Sequence, residues 1–217
     1  MSEILTSLAA ALPLASGWSI HSLWMRRRIE AARRDPLTGL LNRDAFEERA
    51  SKFLSGGPRA VYFVDLDRFK QTNDTYGHAA GDAVIRATGH RMQRWATENG
   101  GLAARLGGDE FVAVTSVSSA GEFDWTLYEL SDQLERPVVF EGTQLGVAAS
   151  IGTIRIDPCT ELADLSALLR RADEEMYKAK QAEVGWSVAL SFAPTLGTVN
   201  GRRAGRRGTT GGTGDAA

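Results

Sequence analysis

Between residue 35 and about residue 191, short apolar runs of strand length alternate with longer stretches in which apolar residues recur at helical spacing. "AVYFVDLD" (60–67) is a short apolar run that ends in acids, which is typical of a buried strand whose last residues reach a site. Three longer stretches are predicted as helices: 79–96, 122–135 and 161–182. Three further runs are predicted as strands: 137–142, 144–156 and 185–190. This alternation predicts a layered α/β domain.

A β-hairpin is predicted around the stretch "RLGGDEF". The runs "GLAARL" (101–106) and "EFVAVTSV" (110–117) flank a corner formed by Gly107, Gly108 and Asp109. Glycine adopts the backbone conformations that a tight turn needs, and two strands joined by so short a connection pair with each other. The turn therefore places two adjacent acids at the tip of a hairpin.

The two ends of the chain differ from its middle. Residues 4–24 contain no acid, lysine or arginine, and five arginines follow within 26–34. The length suits a bilayer, and arginines after the apolar run predict an anchor with the following residues in the cytoplasm. The alternative is a surface-lying or partner-packed helix of a cytoplasmic protein. The expected units are 1–34 (anchor and basic linker), 35–192 (catalytic-size domain) and 193–217 (disordered Gly/Arg-rich tail).

Composition excludes some classes of function. The formal net charge is −2 and the pI is about 6.0. The charge therefore gives no reason to expect a nucleic acid as a partner, because phosphate backbones select basic surfaces. Cys159 is the one cysteine, so the chain cannot form an internal disulfide and needs no oxidising compartment.

Acidic residues occur at two places that a sheet would bring together. Asp65 and Asp67 end the predicted first strand, and Asp109 and Glu110 lie at the hairpin tip. If the two strands are neighbours, carboxylates converge, which is unfavourable unless a cation is present. Oxygen ligands suit Mg²⁺, which completes its shell with phosphate oxygens and water. The glycines of the turn would let the backbone approach a triphosphate.

Five ordered motifs carry a family resemblance: "DPLTGLLNR" (35–43), "VDLDRFKQTNDTYGHAAGD" (64–82), "RLGGDEF" (105–111), "SIGT" (150–153) and "ADEEMYKAK" (172–180). On these residues the chain resembles the GGDEF domain family, the diguanylate cyclases. The resemblance implies an α/β (α+β) fold with a ferredoxin-like or cyclase palm-type central antiparallel sheet flanked by helices, here preceded by an N-terminal apolar helix. It also implies condensation of two GTP molecules into cyclic di-GMP and pyrophosphate by a homodimer.

The resemblance implies roles for the acids. Asp65, Asp109 and the backbone carbonyl of Leu66 match the family's metal ligands, for Mg²⁺ or Mn²⁺. Two metals would clamp the attacking and leaving oxygens. Glu110 matches the acid that assists deprotonation of the ribose 3′-hydroxyl or holds a second metal. Asp109 and Glu110 are thus expected to be catalytic.

The resemblance also implies substrate contacts. Asn73 and Asp82 match the guanine readers, and adenine would leave the Asp82 carboxylate facing an acceptor. Backbone groups around Phe69 and at the turn glycines Gly107 and Gly108 are expected near the phosphates. The phosphate-contacting lysines are matched by Lys70, expected to be catalytic, and Lys180, expected to bind substrate, because each would neutralise the growing charge of the leaving group.

Two departures from the family pattern leave an alternative open. The Arg-x-x-Asp product-inhibition site is replaced by Glu98 and Gly101, and the family's phosphate-binding arginine is replaced by Val184. One lost charge-assisted contact is typically worth about 1.5 to 3 kcal/mol, so turnover would be weakened rather than abolished. The alternative is a weak or degenerate domain that binds GTP or a protein partner. A cyclase of altered nucleotide choice is disfavoured by Asp82.

Overall fold

The computed structural model of the protein describes Trp18, residues 21–156 and residues 164–189. The helices are α1 (21–32), α2 (Arg43–Leu54), α3 (Phe69–Tyr76), α4 (His78–Glu98), α5 (Ala120–Glu135) and α6 (Leu165–Ala182). The strands are β1 (Arg59–Leu66), β2 (Leu102–Gly107), β3 (Glu110–Ser116), β4 (Val138–Phe140), β5 (Thr143–Leu145), β6 (Ala149–Ile156) and β7 (Trp186–Ala189).

A five-stranded sheet in the order β2-β3-β1-β6-β7 forms the centre of the fold. All neighbours in it are antiparallel except β6 and β7, which are parallel. The expected antiparallel sheet flanked by helices is therefore confirmed, with one parallel pair at its edge. Strands β4 and β5 form a separate two-stranded sheet.

Strand β1 lies in the middle of the sheet and is apolar on both faces. Tyr62 belongs to the core on the side of α4 and α5, where its ring meets Trp95 edge-on with the centroids 4.9 Å apart. Phe63 belongs to the core on the opposite side, with residues of α2 and α6. A strand covered on both faces has a continuous apolar sequence, which explains the run at 60–67.

The expected membrane anchor is not supported. Within the described residues, no helix is long and apolar enough to cross a bilayer. The described part of α1 carries three consecutive arginines at 26–28 and then Glu30, all of which follow the expected span. Most of the expected span, 4–24, and the whole of the expected tail, 193–217, lie outside the described residues.

Candidate active site

The end of β1 and the hairpin tip lie side by side. Asp65 is opposite Glu110 of β3 on one side and Ser150 of β6 on the other. One residue further along, the amide of Leu66 donates to the carbonyl oxygen of Asp109 at 3.2 Å. Since β1 and β3 are antiparallel neighbours, the last residues of β1 meet the first residues of β3. The expected proximity of the two acidic segments is thus present in the backbone.

Asp65 is a buried carboxylate with a cation beside it. Its exposed fraction is 3%, and the ammonium group of Lys180 donates to its Oδ1. The same Nζ atom lies 3.6 Å from Oδ1 of Asp67. A buried carboxylate is costly unless it is paired, so Lys180 stabilises this end of the strand.

Asp67 organises the turn that follows β1. Both its carboxylate oxygens accept from the hydroxyl of Ser150, at 3.0 and 3.1 Å, and its amide donates to the carbonyl of Ala148 at 2.8 Å. The next residue, Arg68, has a left-handed backbone with φ of 55°. Ser150 was part of a quoted motif, but no role was predicted for its hydroxyl. The sequence signal for this contact is a serine in a predicted strand, which the structure places beside the end of β1.

The hairpin turn is built as the glycines indicated. Gly107 and Gly108 have φ of 143° and 55°, a range that other residues rarely adopt. Arg105 donates from Nε and from its terminal nitrogen to the carbonyl of Gly108, at 3.0 and 2.8 Å. It also contacts both oxygens of Asp35 at 3.1 Å. The turn is therefore tied to the "DPLTGLLNR" segment, 70 residues earlier in the chain.

Asp35 is the carboxylate that holds Arg105 at the turn, so its protonation state affects the turn. Burial alone would raise its pKa, but hydrogen bonds from Thr38 and the guanidinium of Arg105 outweigh burial and hold the pKa below its ordinary value. Asp35 is therefore a carboxylate at neutral pH and holds Arg105 in place.

The two expected guanine readers lie on adjacent helices that meet at Gly77. Asn73 is on α3 and Asp82 is on α4. The side chain of Asn73 rests directly on the backbone of Gly81: a Cβ atom there would lie 1.9 Å from its Oδ1. Gly81 was not predicted to matter, although a glycine inside a helical pattern is a recognisable signal of close approach. The Asp82 side chain is 51% exposed, with Arg86 at 3.7 Å.

A cavity of about 600 Å³ opens beside Lys180. Its walls include Asp67, Arg68, Ser150, Lys180 and Val184. The structure thus brings together Asp67, which follows β1, Lys180 of α6 and Val184.

Most of the other expected site residues do not line this cavity: its walls do not include Asp65, Leu66 or the turn residues 107–110. Asn73, Phe69 and Asp82 do not line it; Phe69 packs against the core at the start of α3. Lys70 is exposed on the first turn of α3 and makes no ion pair with any described residue.

The oxygen donors at the strand end suit a hard divalent cation. Asp65 and Asp67 already share one cationic group, and carboxylate and carbonyl oxygens are the ligands that Mg²⁺ prefers. In the part of the chain that the structure describes, no three His, Cys, Asp or Glu side chains form a metal-holding cluster. The expected set of Asp65, Asp109 and the Leu66 carbonyl contains two carboxylates and remains a prediction.

The backbone around Gly101 leaves no room for the aspartate of the product-inhibition motif that the resemblance implies. Gly101 stands where the family has aspartate, and a Cβ there would lie 2.1 Å from the carbonyl oxygen of Val114 and 2.9 Å from Cα of Thr115. Both atoms belong to the backbone of β3, which cannot rotate away as a side chain does. An aspartate at 101 would therefore require the strand to shift.

Comparisons with known proteins identify the family. The family described as "Diguanylate cyclase, GGDEF domain" matches residues 32–185. A Streptomyces ambofaciens protein, "Uncharacterized 19.3 kDa protein in repSA 5'region", is 45% identical over 79% of this chain and 91% of its own length. "Diguanylate cyclase TpbB" of Pseudomonas aeruginosa is 37% identical to this chain. The matched region covers 71% of this chain and 36% of that protein.

Solved structures show the same fold. A sensory box/GGDEF family protein of Caulobacter crescentus has a TM-score of 0.62 and 36% identity, over 69% of this chain and 99% of that one. The structure of the coiled coil and GGDEF domain of DgcB from the same organism, in complex with c-di-GMP, has a TM-score of 0.72 and 26% identity. The match covers 84% of this chain and 100% of that one. Because the family matches most of this chain, residues 32–185, the chain belongs to the GGDEF domain family of diguanylate cyclases.

Proposed function

We propose that this chain is an active diguanylate cyclase that uses Mg²⁺ or Mn²⁺. The observation that carries the proposal is the junction of β1 and β3, where the Leu66 amide donates to the Asp109 carbonyl and Asp65 lies opposite Glu110. Relatives named as diguanylate cyclases support the reaction class. In this reaction a ribose 3′-oxygen forms a bond to the α-phosphorus of a second GTP, and the bond from that phosphorus to the β-phosphate oxygen breaks.

The proposed role of each residue follows from its place in the site. Asp65, Asp109 and the Leu66 carbonyl would hold the divalent metal, which when bound supplies a Lewis acid for the phosphate oxygens. Glu110, at the start of β3, would accept the proton of the 3′-hydroxyl. Lys70 and Lys180 would neutralise the charge that grows on pyrophosphate, with the turn glycines Gly107 and Gly108 allowing close backbone approach.

The base would be read from the helices. Asn73 would hydrogen-bond the guanine, and Asp82 would accept from its ring NH and exocyclic amine, beside Phe69. Adenine offers an acceptor in place of that ring NH, so Asp82 would be left unpaired against it. The partial exposure of Asp82 agrees with a side chain that a ligand can reach.

One product requires two protomers, because each protomer holds one GTP and cannot close the ring alone. We propose that α1 pairs two copies, since it exposes Met25 and Ile29 one turn apart, at 41% and 53%. The related DgcB structure includes a coiled coil. Met25→Glu with Ile29→Glu should shift the full chain towards monomer in analytical ultracentrifugation and reduce turnover. Ala31→Glu, on the opposite face of α1, is the control, and a fully active monomer would contradict the pairing.

Product analysis tests the activity itself. The full chain is incubated with GTP and Mg²⁺ and the nucleotides are separated by chromatography. Cyclic di-GMP and pyrophosphate are expected, and Asp109→Asn should abolish both while the exposed Asp132→Asn leaves them unchanged. Intact GTP from the wild-type chain would refute the proposal.

The second candidate is a degenerate domain that binds GTP, or a protein partner, without turning GTP over. Val184 on the cavity wall favours it, since an apolar side chain stands there in place of a cation. Measurable GTP binding without product supports this candidate. A product that contains adenine, formed from GTP plus ATP, would instead indicate altered nucleotide choice.

A further inference from the structure

Lys180 contacts two carboxylates at once. Its ammonium donates to Asp65 and lies 3.6 Å from Asp67. Asp65 is almost fully buried, whereas the Lys180 side chain is 36% exposed. The acids are fixed at the end of the central strand β1 and just after it, and the lysine is a long side chain that reaches them from the last turn of α6.

A divalent cation and this ammonium group would compete for the same oxygens. Metal ligands must offer free lone pairs, and a carboxylate oxygen that accepts from an ammonium group offers fewer. Two cations a few ångströms apart also repel each other, most strongly where the surroundings are buried. A metal that binds Asp65 therefore competes with Lys180 for the carboxylate.

The surroundings allow the lysine to move and keep the acids in place. The hydroxyl of Ser150 holds both oxygens of Asp67, and Asp65 is paired on both sides within the sheet. Helix α6 is fixed because Gly152 of β6 lies directly under it: a Cβ there would be 1.9 Å from a backbone oxygen of α6. The cavity of about 600 Å³ opens beside Lys180, so its side chain has room to swing.

We propose that Lys180 is an exchangeable counterion: it neutralises Asp65 and Asp67 before substrate binds, and a divalent metal at Asp65 releases it towards the triphosphate. The proposal rests on the proposed function, which places metal and GTP at this site. The released ammonium then pairs with phosphate, so metal and nucleotide each favour the binding of the other. By linkage the two effects are equal in free energy.

Metal binding without nucleotide tests the exchange directly. Mn²⁺ alone is titrated into the full-length chain at pH 7.5, and free Mn²⁺ is measured by electron paramagnetic resonance. Lys180→Gln removes the competing charge but keeps a hydrogen-bond donor for Asp65, so Mn²⁺ should bind roughly tenfold more tightly, within the range typical of such couplings. The matched control is Lys178→Gln on the same helix, which pairs with Glu175 instead. This control makes the same change in net charge, and its Mn²⁺ affinity should stay within about twofold of that of the wild-type chain.

The outcomes separate this proposal from the proposed function. Unchanged or weaker Mn²⁺ binding by Lys180→Gln, or an equal gain in the control, overturns the exchange. If the wild-type chain forms no cyclic di-GMP but Lys180→Gln still gains Mn²⁺ affinity, the exchange stands and the proposed activity fails. Should Lys180→Gln not fold, ¹⁵N spectra of the wild-type lysine ammonium groups decide: Mg²⁺ should shift the Lys180 signal and leave that of Lys178, and no shift overturns the proposal.

Discussion

Replacing Gly81 by alanine should weaken nucleotide binding without unfolding the protein. The new Cβ would lie 1.9 Å from Oδ1 and 2.9 Å from Cγ of Asn73, and 3.2 Å from Cζ of Phe69. The atoms in the way belong to the end of a short side chain, so the Asn73 amide rotates off the helix and the backbone stays. Losing one hydrogen bond to guanine costs about 1 to 1.5 kcal/mol, or roughly tenfold in affinity.

The folding free energy should change far less. Alanine is favoured over glycine inside a helix by about 1 kcal/mol, which offsets the local crowding. The control is Gly121→Ala in α5, where a Cβ meets no atom within 4 Å. Both variants should unfold within about 1 kcal/mol of wild type in urea. Binding is measured by calorimetry with 3′-deoxy GTP, which lacks the attacking hydroxyl.

Either of two results would contradict this prediction. If Gly81→Ala binds 3′-deoxy GTP as tightly as Gly121→Ala does, then Asn73 does not read guanine from its place on Gly81. If Gly81→Ala unfolds at much lower urea than wild type, the crowding is absorbed by the helix backbone and not by the Asn73 amide.

Four further predictions concern other parts of the structure. Gly152→Ala would press a methyl group into the backbone of α6, and urea unfolding should show a loss of about 1 to 3 kcal/mol; no loss would mean that α6 is less closely packed. Glu183 ends α6 with φ of 53°, so Glu183→Gly should stabilise the protein by about 1 kcal/mol in urea. Adding Val184→Arg to it should tighten GTP about tenfold by calorimetry, and no gain would place the phosphates elsewhere. Because the pKa of Asp35 is lowered on folding, its pairing stabilises above the unfolded pKa near 4 and is lost as pH falls through the folded value. Arg105→Met should therefore destabilise the chain at pH 7, with a smaller difference from wild type at pH 3 in thermal unfolding, and an equal difference at both would contradict the pairing.

Local patterns predicted most of the elements that bury apolar faces, but helix α2, which buries Ala45, Phe46 and Ala50, was not predicted. The hairpin at 101–117 and the central strand at 60–67 were predicted because their apolar runs and turn glycines are local signals. Helix α3 was missed because none of its residues is buried, so no apolar repeat marks it. The run 144–156 was predicted as one strand, but β5 pairs with β4 and β6 pairs with β1. That division depends on partners distant in sequence.

The site shows the same limit. That Asp65 and the hairpin tip would be neighbours was predicted once both were assigned to one sheet. The contact between Lys180 and Asp65 joins residues 115 apart in the chain. No local pattern reports it, because it depends on how closely α6 approaches β6, and that approach is set by the missing side chain of Gly152.

The two ends of the proposed site differ in how firmly they are held, and this difference predicts how they respond to change. Asp65 is 3% exposed and fixed by strands on both sides, so a substitution there removes a paired buried charge and alters stability and chemistry together. Asp82 is half exposed on a helix surface, where a side chain contributes little to folding. Substitutions at the base-reading end should therefore change nucleotide choice at nearly constant stability. Evolution or engineering could then retune the base that is read while the metal end stays as it is.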